Sequence, residues 1–273
     1  MRETWKGETG TRMRLQIDVD LDYHVPQPAD VLLAVEVAQL PDQKLLGDLL
    51  TVDGAAGPLT PVAGEDGISR RTWLKADGRL QASYRATVEL NRTLGPIEAL
   101  PISPLTDLPA EAIAYLWPSR YCQSDQFETF VERRFADLGG GEKLLAMRDW
   151  IHDEMDYAPG ASDTTTTAAD AFVARAGVCR DYAHLLASFA RAAGVPARLT
   201  SAYALGVKPP DFHAVVEVWL DGAWHFLDAT GLATADGLVR ICVGRDATDI
   251  AFMTIFGTAT LNRQSVTVTR LAG

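Results

Sequence analysis

The sequence predicts an α+β protein, in which a helical region separates two β-rich regions. Residues 13–94 contain short runs that alternate apolar and polar side chains, such as RLQIDVDLDYHV, between turns rich in Gly, Pro and Asp. Residues 124–194 carry apolar side chains at helical spacing. Alternating runs return from residue 197, so strands and helices are segregated along the chain rather than interleaved.

The composition is that of a globular protein and limits its partners. Of the 273 residues, 47% are hydrophobic and 22% are charged, which suffices for a sizeable core. The formal net charge of −11 argues against a nucleic-acid partner, because binding to phosphates needs a basic surface. No apolar run reaches the ~20 residues that cross a bilayer, and the first residues lack the apolar segment of a secretory signal. We therefore expect no membrane partner.

We predict four parts along the chain. Residues 1–12 form a disordered extension, and residues 13–95 form an N-terminal antiparallel β-sandwich-like domain. A proline-rich linker covers residues 96–123. Residues 124–273 form the core, whose strands include the final run SVTVTRLA.

The core begins with helices. Ser124 is a predicted N-cap, and the glycines at 139–141 end the first helix before EKLLAMRDWIHDEMDY begins the next. A short helix is expected near 168–175. The run CRDYAHLLASFARAAG predicts a further helix that stops at Gly194, with Pro196 just beyond it.

Three scattered cysteines indicate a reducing compartment, and the predicted location is the cytoplasm. Cys122 and Cys242 have neither a helix start nor a paired histidine, so we interpret them as inert. Cys179 lies where a glycine-ending loop meets the first turn of a helix, and the positive end of the helix dipole stabilises a thiolate. Its backbone N–H is a free donor that could receive an oxyanion. The alternative for Cys179 is a buried structural cysteine.

A hairpin provides partners for Cys179. In FHAVVEVWLDGAWHFLDAT, the dipeptide Asp221-Gly222 predicts a two-residue turn that pairs Val218 with His225. In that register His213 and Asp228 share one face as diagonal neighbours, within reach of a hydrogen bond, while His225 points to the other face. A thiol, an imidazole and an orienting carboxylate are the components of cysteine-based acyl transfer.

The segments GVCRDYAHLLASFARAAGVPARLTSAY and FHAVVEVWLDGAWHFLDAT resemble the core of bacterial transglutaminase-like proteins, a class described as cysteine proteases. The resemblance extends over residues 15–235 and includes YLWPSRYCQSD, the TTTTAADAF stretch and a β-rich N-terminal domain. It implies a papain-like core in which Cys179 is the nucleophile, His213 the general base and acid, and Asp228 the orienting residue.

Other residues were weighed for roles in the site. Tyr157 could supply a second oxyanion donor, although we favour a turn or capping role for it. Trp219 and Trp224 could wall an acyl-binding cleft, although we favour core packing for both. His184 lies ~140° around the helix from Cys179, so we interpret it as a packed or supporting residue. Asp181 caps its helix, and the acidic run at 152–156 is a solvated helix end without metal-ligand spacing.

We expect neither a metal nor a cofactor. The predicted reaction is cleavage of an amide or peptide bond in a protein or peptide substrate through a thioester on Cys179. Resolution by water would make a peptidase or amidase, and we favour it because water is abundant and no EF-hand loop is present. Resolution by an amine would make a transglutaminase. A non-catalytic binding module on the same fold and a metal-dependent hydrolase are the other hypotheses.

Overall fold

The computed structural model of the protein describes residues 12–272. In chain order its strands are β1 (Arg12–Leu33), β2 (Gln43–Ala55), β3 (Thr60–Ala63), β4 (Arg70–Asn91), β5 (Asp156–Tyr157), β6 (Ala176–Gly177), β7 (Ala197–Ala204), β8 (Phe212–Leu220), β9 (Ala223–Leu227), β10 (Leu238–Gly244), β11 (Met253–Phe256) and β12 (Thr260–Arg270). The helices are α1 (Ala110–Ile113), α2 (Glu128–Phe135), α3 (Gly140–Glu154), α4 (Ala168–Ala174), α5 (Cys179–Ala192) and α6 (Ala247–Ile250). The α+β class is confirmed, with mostly antiparallel strands.

The N-terminal sheet is built on two long antiparallel strands, β1 and β4, of 22 residues each. Its strand order is β11-β1-β4-β2, with β12 also paired to β1 and β3 to β4. An irregularity in the β1–β4 register between Val25 and Ala29 divides the pairing of the two long strands into a longer and a shorter section. The predicted antiparallel β-sandwich-like domain is, among the described residues, one six-stranded hydrogen-bonded sheet built along β1 and β4.

The last two strands differ from the prediction. We placed residues 253–270 with the core, but β11 and β12 both pair with β1 in the N-terminal sheet. Val266 lies opposite Val19, and Val268 lies opposite Ile17. Alternation tells which face of a strand is apolar, but it does not tell which strand it pairs with. The chain thus returns to its first sheet after completing the second one.

The second sheet is antiparallel in the order β10-β7-β8-β9. Helix α5 packs against it, and apolar residues of the helix such as Leu185 and Leu186 join Val216 and Val218 of β8 in one core cluster. β7 is buried along its whole length. Gly194 adopts a left-handed φ of 75°, which ends α5 as the sequence predicted. This sheet and helix carry the candidate site.

The remaining predictions concern the segments around these sheets. Residues 96–123 contain only short helical turns and α1, and the predicted N-cap Ser124 begins a 3₁₀ turn without capping through its side chain. The predicted disordered extension, residues 1–12, lies outside the described residues except for Arg12, which begins β1. The domain boundaries stay a prediction. Across residues 12–272, no helix has the length and apolarity needed to span a membrane.

Candidate active site

Cys179 is the first residue of α5. The residue before it, Val178, has an extended backbone with φ −116° and ψ −178°, so the chain turns sharply into the helix at the cysteine. The thiol is half-buried, whereas Cys122 and Cys242 are fully buried. The free N–H groups and the positive end of the helix dipole therefore lie beside a sulfur that solvent can reach.

A buried carboxylate holds this helix start in place. Asp181 accepts hydrogen bonds through Oδ2 from the backbone N–H of Val178 at 2.8 Å and from the hydroxyl of Ser162 at 2.5 Å. A Cβ on Gly177 would lie 2.6 Å from the Asp181 side chain, so only glycine fits there. Asp181 thus caps the helix, as the sequence analysis expected. The link to Ser162 was missed, because nothing in the spacing relates the two positions.

The hairpin of β8 and β9 has the predicted register. Asp221 and Gly222 adopt φ values of 47° and 77°, both in the left-handed region that a type I′ turn requires. Val218 pairs with His225, as expected for a two-residue turn. His225 contacts the carbonyl oxygen of Leu220 through Nε2 at 3.2 Å and stays away from the catalytic pair.

The register brings His213 and Asp228 together. The Nε2 of His213 lies 2.8 Å from Oδ2 of Asp228, and both side chains are almost fully buried. Asp228 also accepts hydrogen bonds from the backbone N–H and hydroxyl of Thr230, at 2.9 and 2.7 Å, and from the N–H of Ala233 at 3.0 Å. The carboxylate is therefore fixed on all sides and fixes the imidazole in turn, leaving Nδ1 for Cys179.

The electrostatics of the pair favour a charged imidazole. Burial by itself lowers the pKa of His213, but hydrogen bonds to Asp228 and Cys179 outweigh burial and raise this pKa to about 9. Burial raises the pKa of Asp228, and the hydrogen bonds from His213 and Thr230 more than offset it, so this pKa is lowered. At neutral pH the stable state therefore contains an imidazolium against a carboxylate.

Tyr157 lies next to Cys179 because β5 runs parallel to β6, with Tyr157 opposite Gly177. Partial burial and the nearby charge of Cys179 raise the pKa of the Tyr157 phenol to about 12. The backbone N–H and the thiol of Cys179 both lie close enough to the phenol to influence this pKa, the N–H lowering it and the thiol raising it. The hydroxyl is thus protonated at neutral pH and positioned beside the nucleophile.

A cleft of about 660 Å³ opens over Cys179 and His213. Its far wall is the C-terminal segment 250–255, with Gln264 of β12 beside it. The rings of Phe212 and Phe252 stack at 4.3 Å and join the two sides. The N-terminal sheet, through β11 and β12, therefore contributes to the cleft, which sequence reasoning missed because the partner of these strands is not encoded locally.

Comparisons with known proteins show the family to which this fold belongs. The family model described as "Transglutaminase-like superfamily" matches residues 130–229. A solved structure from Cytophaga hutchinsonii, described as a "Putative Cysteine Protease", is 35% identical and superposes with a TM-score of 0.92, covering 97% of this chain and 93% of that one.

The chain belongs to the transglutaminase-like superfamily.

Two more distant relatives add less to this assignment. "Uncharacterized protein ML0607" of Mycobacterium leprae is 29% identical over 145 residues, which are 50% of this chain. This chain spans about half of that relative, 52% of its length. The periplasmic domain of TgpA from Pseudomonas aeruginosa is 15% identical, with a TM-score of 0.42 over 84% of this chain and 92% of that domain. A likeness this distant supports no conclusion about this chain. The superfamily and the Cytophaga relative together support a thiol-dependent enzyme.

Two tryptophans of this transglutaminase-like protein do not lie where we predicted. Trp219 is six residues from His213, about 20 Å along an extended strand, and it packs with Leu108 and Ala112 instead. Trp224 lines a separate cavity of about 720 Å³. The candidate place of both residues in the wall of the Cys179 cleft is wrong, because residues on one face of a strand need not share a site. The favoured alternative, core packing, is confirmed for Trp219.

His184 has the supporting position that we expected. It is fully buried and stacks on the ring of Tyr121 at 5.2 Å. Its Nε2 accepts a hydrogen bond from the N–H of Ala247 at 3.1 Å, and burial lowers its pKa to about 3. A neutral histidine thus positions α6 against the nucleophile helix.

No metal-ligand cluster occurs among the residues that the structure describes: no group of three or more His, Cys, Asp or Glu side chains could hold an ion. The acidic run at 152–156 closes α3, and the side chains of His152, Asp153 and Glu154 are exposed there. These positions are those of a solvated helix end.

Proposed function

We propose that the protein is a cysteine-dependent hydrolase that cleaves amide or peptide bonds in a protein or peptide substrate through a thioester on Cys179. The observation that carries the proposal is the buried 2.8 Å contact between His213 and Asp228, with the partly buried Cys179 close enough to the same imidazole to raise its pKa. A nucleophile, a base and an orienting carboxylate in that order form the arrangement of acyl-transfer enzymes.

The first half-reaction forms the thioester. The proton of Cys179 passes to Nδ1 of His213, where the raised pKa of the imidazole favours it. The thiolate then attacks the carbonyl carbon, and the new S–C bond converts the carbonyl oxygen to an oxyanion. His213 returns the proton to the amide nitrogen, the C–N bond breaks, and the amine leaves.

The second half-reaction uses water. His213 takes a proton from a water molecule, the oxygen attacks the thioester carbon, and the C–S bond breaks to release a carboxylic acid and the cysteine. Water is the proposed acceptor because Cys179 is only partly buried and lines an open cleft, whereas transfer to an amine requires that water be kept out. Amine transfer remains the alternative that the experiment below must distinguish.

Two groups are proposed to stabilise the oxyanion. The backbone N–H of Cys179 lies at the start of α5, where it has no partner within the helix and can turn to a substrate oxyanion. The Tyr157 hydroxyl, which already contacts that N–H and the thiol, would donate to the oxyanion once a substrate carbonyl enters. Asp228 keeps the imidazole in the correct tautomer throughout. The cytoplasmic location predicted from cysteine usage stays a prediction.

The test is the pH dependence of Cys179 alkylation by iodoacetamide, followed by mass spectrometry, in the wild type and in His213→Ala. Cys122 and Cys242 are internal controls, because burial raises the pKa of their thiols to about 11 and about 12. We expect selective labelling of Cys179 that His213→Ala slows. If Cys179 is labelled at the same rate in the wild type and in His213→Ala, the enzyme proposal is rejected and a binding module is favoured.

Activity is then measured on reduced, carboxymethylated casein with and without an added primary amine. Mass spectrometry separates hydrolysed peptides from amine-linked ones, and Cys179→Ala is the inactive control. Hydrolysis in both conditions supports the proposal, whereas products that carry the amine would replace the hydrolase with a transglutaminase.

A further inference from the structure

The strand that walls the cleft lies at the edge of its sheet. β11 pairs with β1 on one side only and is the outermost strand in the order β11-β1-β4-β2. The same residues, Met253, Thr254 and Ile255, line the cleft that contains Cys179 and His213. A sheet edge with one unpaired side therefore lies in the same cleft as the nucleophile.

The register shows which backbone groups of β11 point away from β1. The N–H of Ala34 donates to the carbonyl of Phe252 at 2.8 Å, so Phe252 and, two residues on, Thr254 direct their backbone groups to β1. Met253 and Ile255 then direct their N–H and C=O groups to the open side. Within residues 12–272, no backbone hydrogen bond involves these groups.

The residues of β11 lack the charges that usually protect an exposed sheet edge from pairing with another strand. Exposed edges are commonly blunted by charged side chains, and β12 on the same side of β1 carries Arg263 and Arg270. β11 reads Met-Thr-Ile-Phe and has no charge. The side chains of Met253 and Ile255 pack on the apolar core, which leaves their backbone as the surface offered to the cleft.

We propose that an extended segment of the substrate binds as an added strand on the open edge of β11, through the backbone groups of Met253 and Ile255. The four residues of β11 span about 13 Å, enough to pair with a stretch of about four substrate residues. This inference rests on the proposed function and specifies its substrate class, an unfolded or extended peptide rather than a folded surface or a small amide. Main-chain pairing gives affinity with little dependence on sequence.

The test uses two chloromethyl ketones that alkylate Cys179, acetyl-alanyl and acetyl-tetra-alanyl chloromethyl ketone. The second-order rate of labelling is measured by mass spectrometry in the wild type, Met253→Pro, Ile255→Pro and the control Met253→Leu. Proline removes the outward N–H, and edge strands tolerate it where that N–H faces away from the sheet.

We expect the longer probe to label the wild type faster than the shorter one. Each proline should remove roughly three- to tenfold of that advantage, the effect of one lost hydrogen bond, while Met253→Leu retains it. Labelling by iodoacetamide should be the same in all four proteins. An equal rate for both probes in the wild type, or an unchanged advantage in both proline variants, would overturn the inference.

A second measurement does not depend on the folding of the variants. The tetra-alanyl probe is N-methylated at one residue at a time and tested on the wild type. Pairing with an edge predicts slower labelling at alternate positions only, because successive N–H groups of a strand point to opposite sides. A uniform response along the probe would contradict edge pairing. Failure of iodoacetamide to label Cys179 would instead reject the proposed function itself.

Discussion

Replacing Asp228 by asparagine would remove the negative charge that holds His213 protonated. The pKa of His213 is raised from an ordinary 6.5 to about 9, and hydrogen bonding to Asp228 is the largest of the contributions that raise it. The difference of about 2.5 corresponds to ~3 kcal/mol of preference for the imidazolium. Without the carboxylate, burial becomes the main influence and lowers the pKa, so we expect a value at or below 6.5.

The assay is the pH profile of kcat/KM for amide hydrolysis. In the wild type the alkaline limb should lie near pH 9, where His213 loses its proton. In Asp228→Asn the limb should move to pH 6.5 or lower. With that pKa about one imidazole in ten is protonated at pH 7.5, so the activity there should fall at least tenfold.

The raised pKa of His213 also predicts how the free energy of unfolding changes with pH. A histidine whose folded pKa lies above its unfolded pKa stabilises the protein fully below pH 6.5, and the stabilisation disappears as the pH rises through about 9. The wild type should lose up to ~3 kcal/mol in the free energy of unfolding over that range, and Asp228→Asn should lose much less.

The matched control is Asp153→Asn, which makes the same charge change at an exposed position at the end of α3. Both its pH profile and its thermal unfolding should follow those of the wild type. An alkaline limb that stays near pH 9 in Asp228→Asn would refute the reasoning, because some other group would then hold the proton on His213.

Three further predictions concern neighbouring residues. Tyr157→Phe should lower kcat about tenfold or more with little change in KM, by loss of an oxyanion donor; a faster enzyme would mean that the hydroxyl blocks the site. Asp181→Ala should lower the free energy of unfolding by about 1–2 kcal/mol and slow Cys179 alkylation, because the helix start loses its cap. Urea titration measures the free energy of unfolding, and a variant as stable as the wild type would contradict the capping role. Trp219→Ala should destabilise by about 3–5 kcal/mol yet leave KM unchanged, and a raised KM in a folded variant would return this residue to the substrate site.

The sequence was sufficient where the determining interaction is local. A two-residue turn at Asp221-Gly222 sets the pairing of the strands that flank it, and the period of two then assigns each side chain to a face. The neighbouring positions of His213 and Asp228 follow from that turn alone. Helix α5 likewise follows from its periodic apolar residues and from Gly194 at its end.

Local signals do not carry the choice of a partner strand or of the residues that a side chain packs against. His213 and Trp219 share a face of β8, but only the structure showed that Trp219 belongs to a cluster with the linker about 20 Å away. The contact of Ser162 with Asp181 is another case, since it joins a loop to a helix start across 18 intervening residues without any periodic pattern.

The sequence by itself therefore determined which three side chains form the candidate site. Only the tertiary structure determined which strands form the wall of the cleft around them. A turn, a helix start and an alternating strand fix three side chains through interactions between near neighbours. The cleft wall depends on β11 and β12, which pair with a strand more than 200 residues earlier in the chain. Alternating apolar residues fit the edge of either sheet, and the choice of edge is made by the packing of the whole chain.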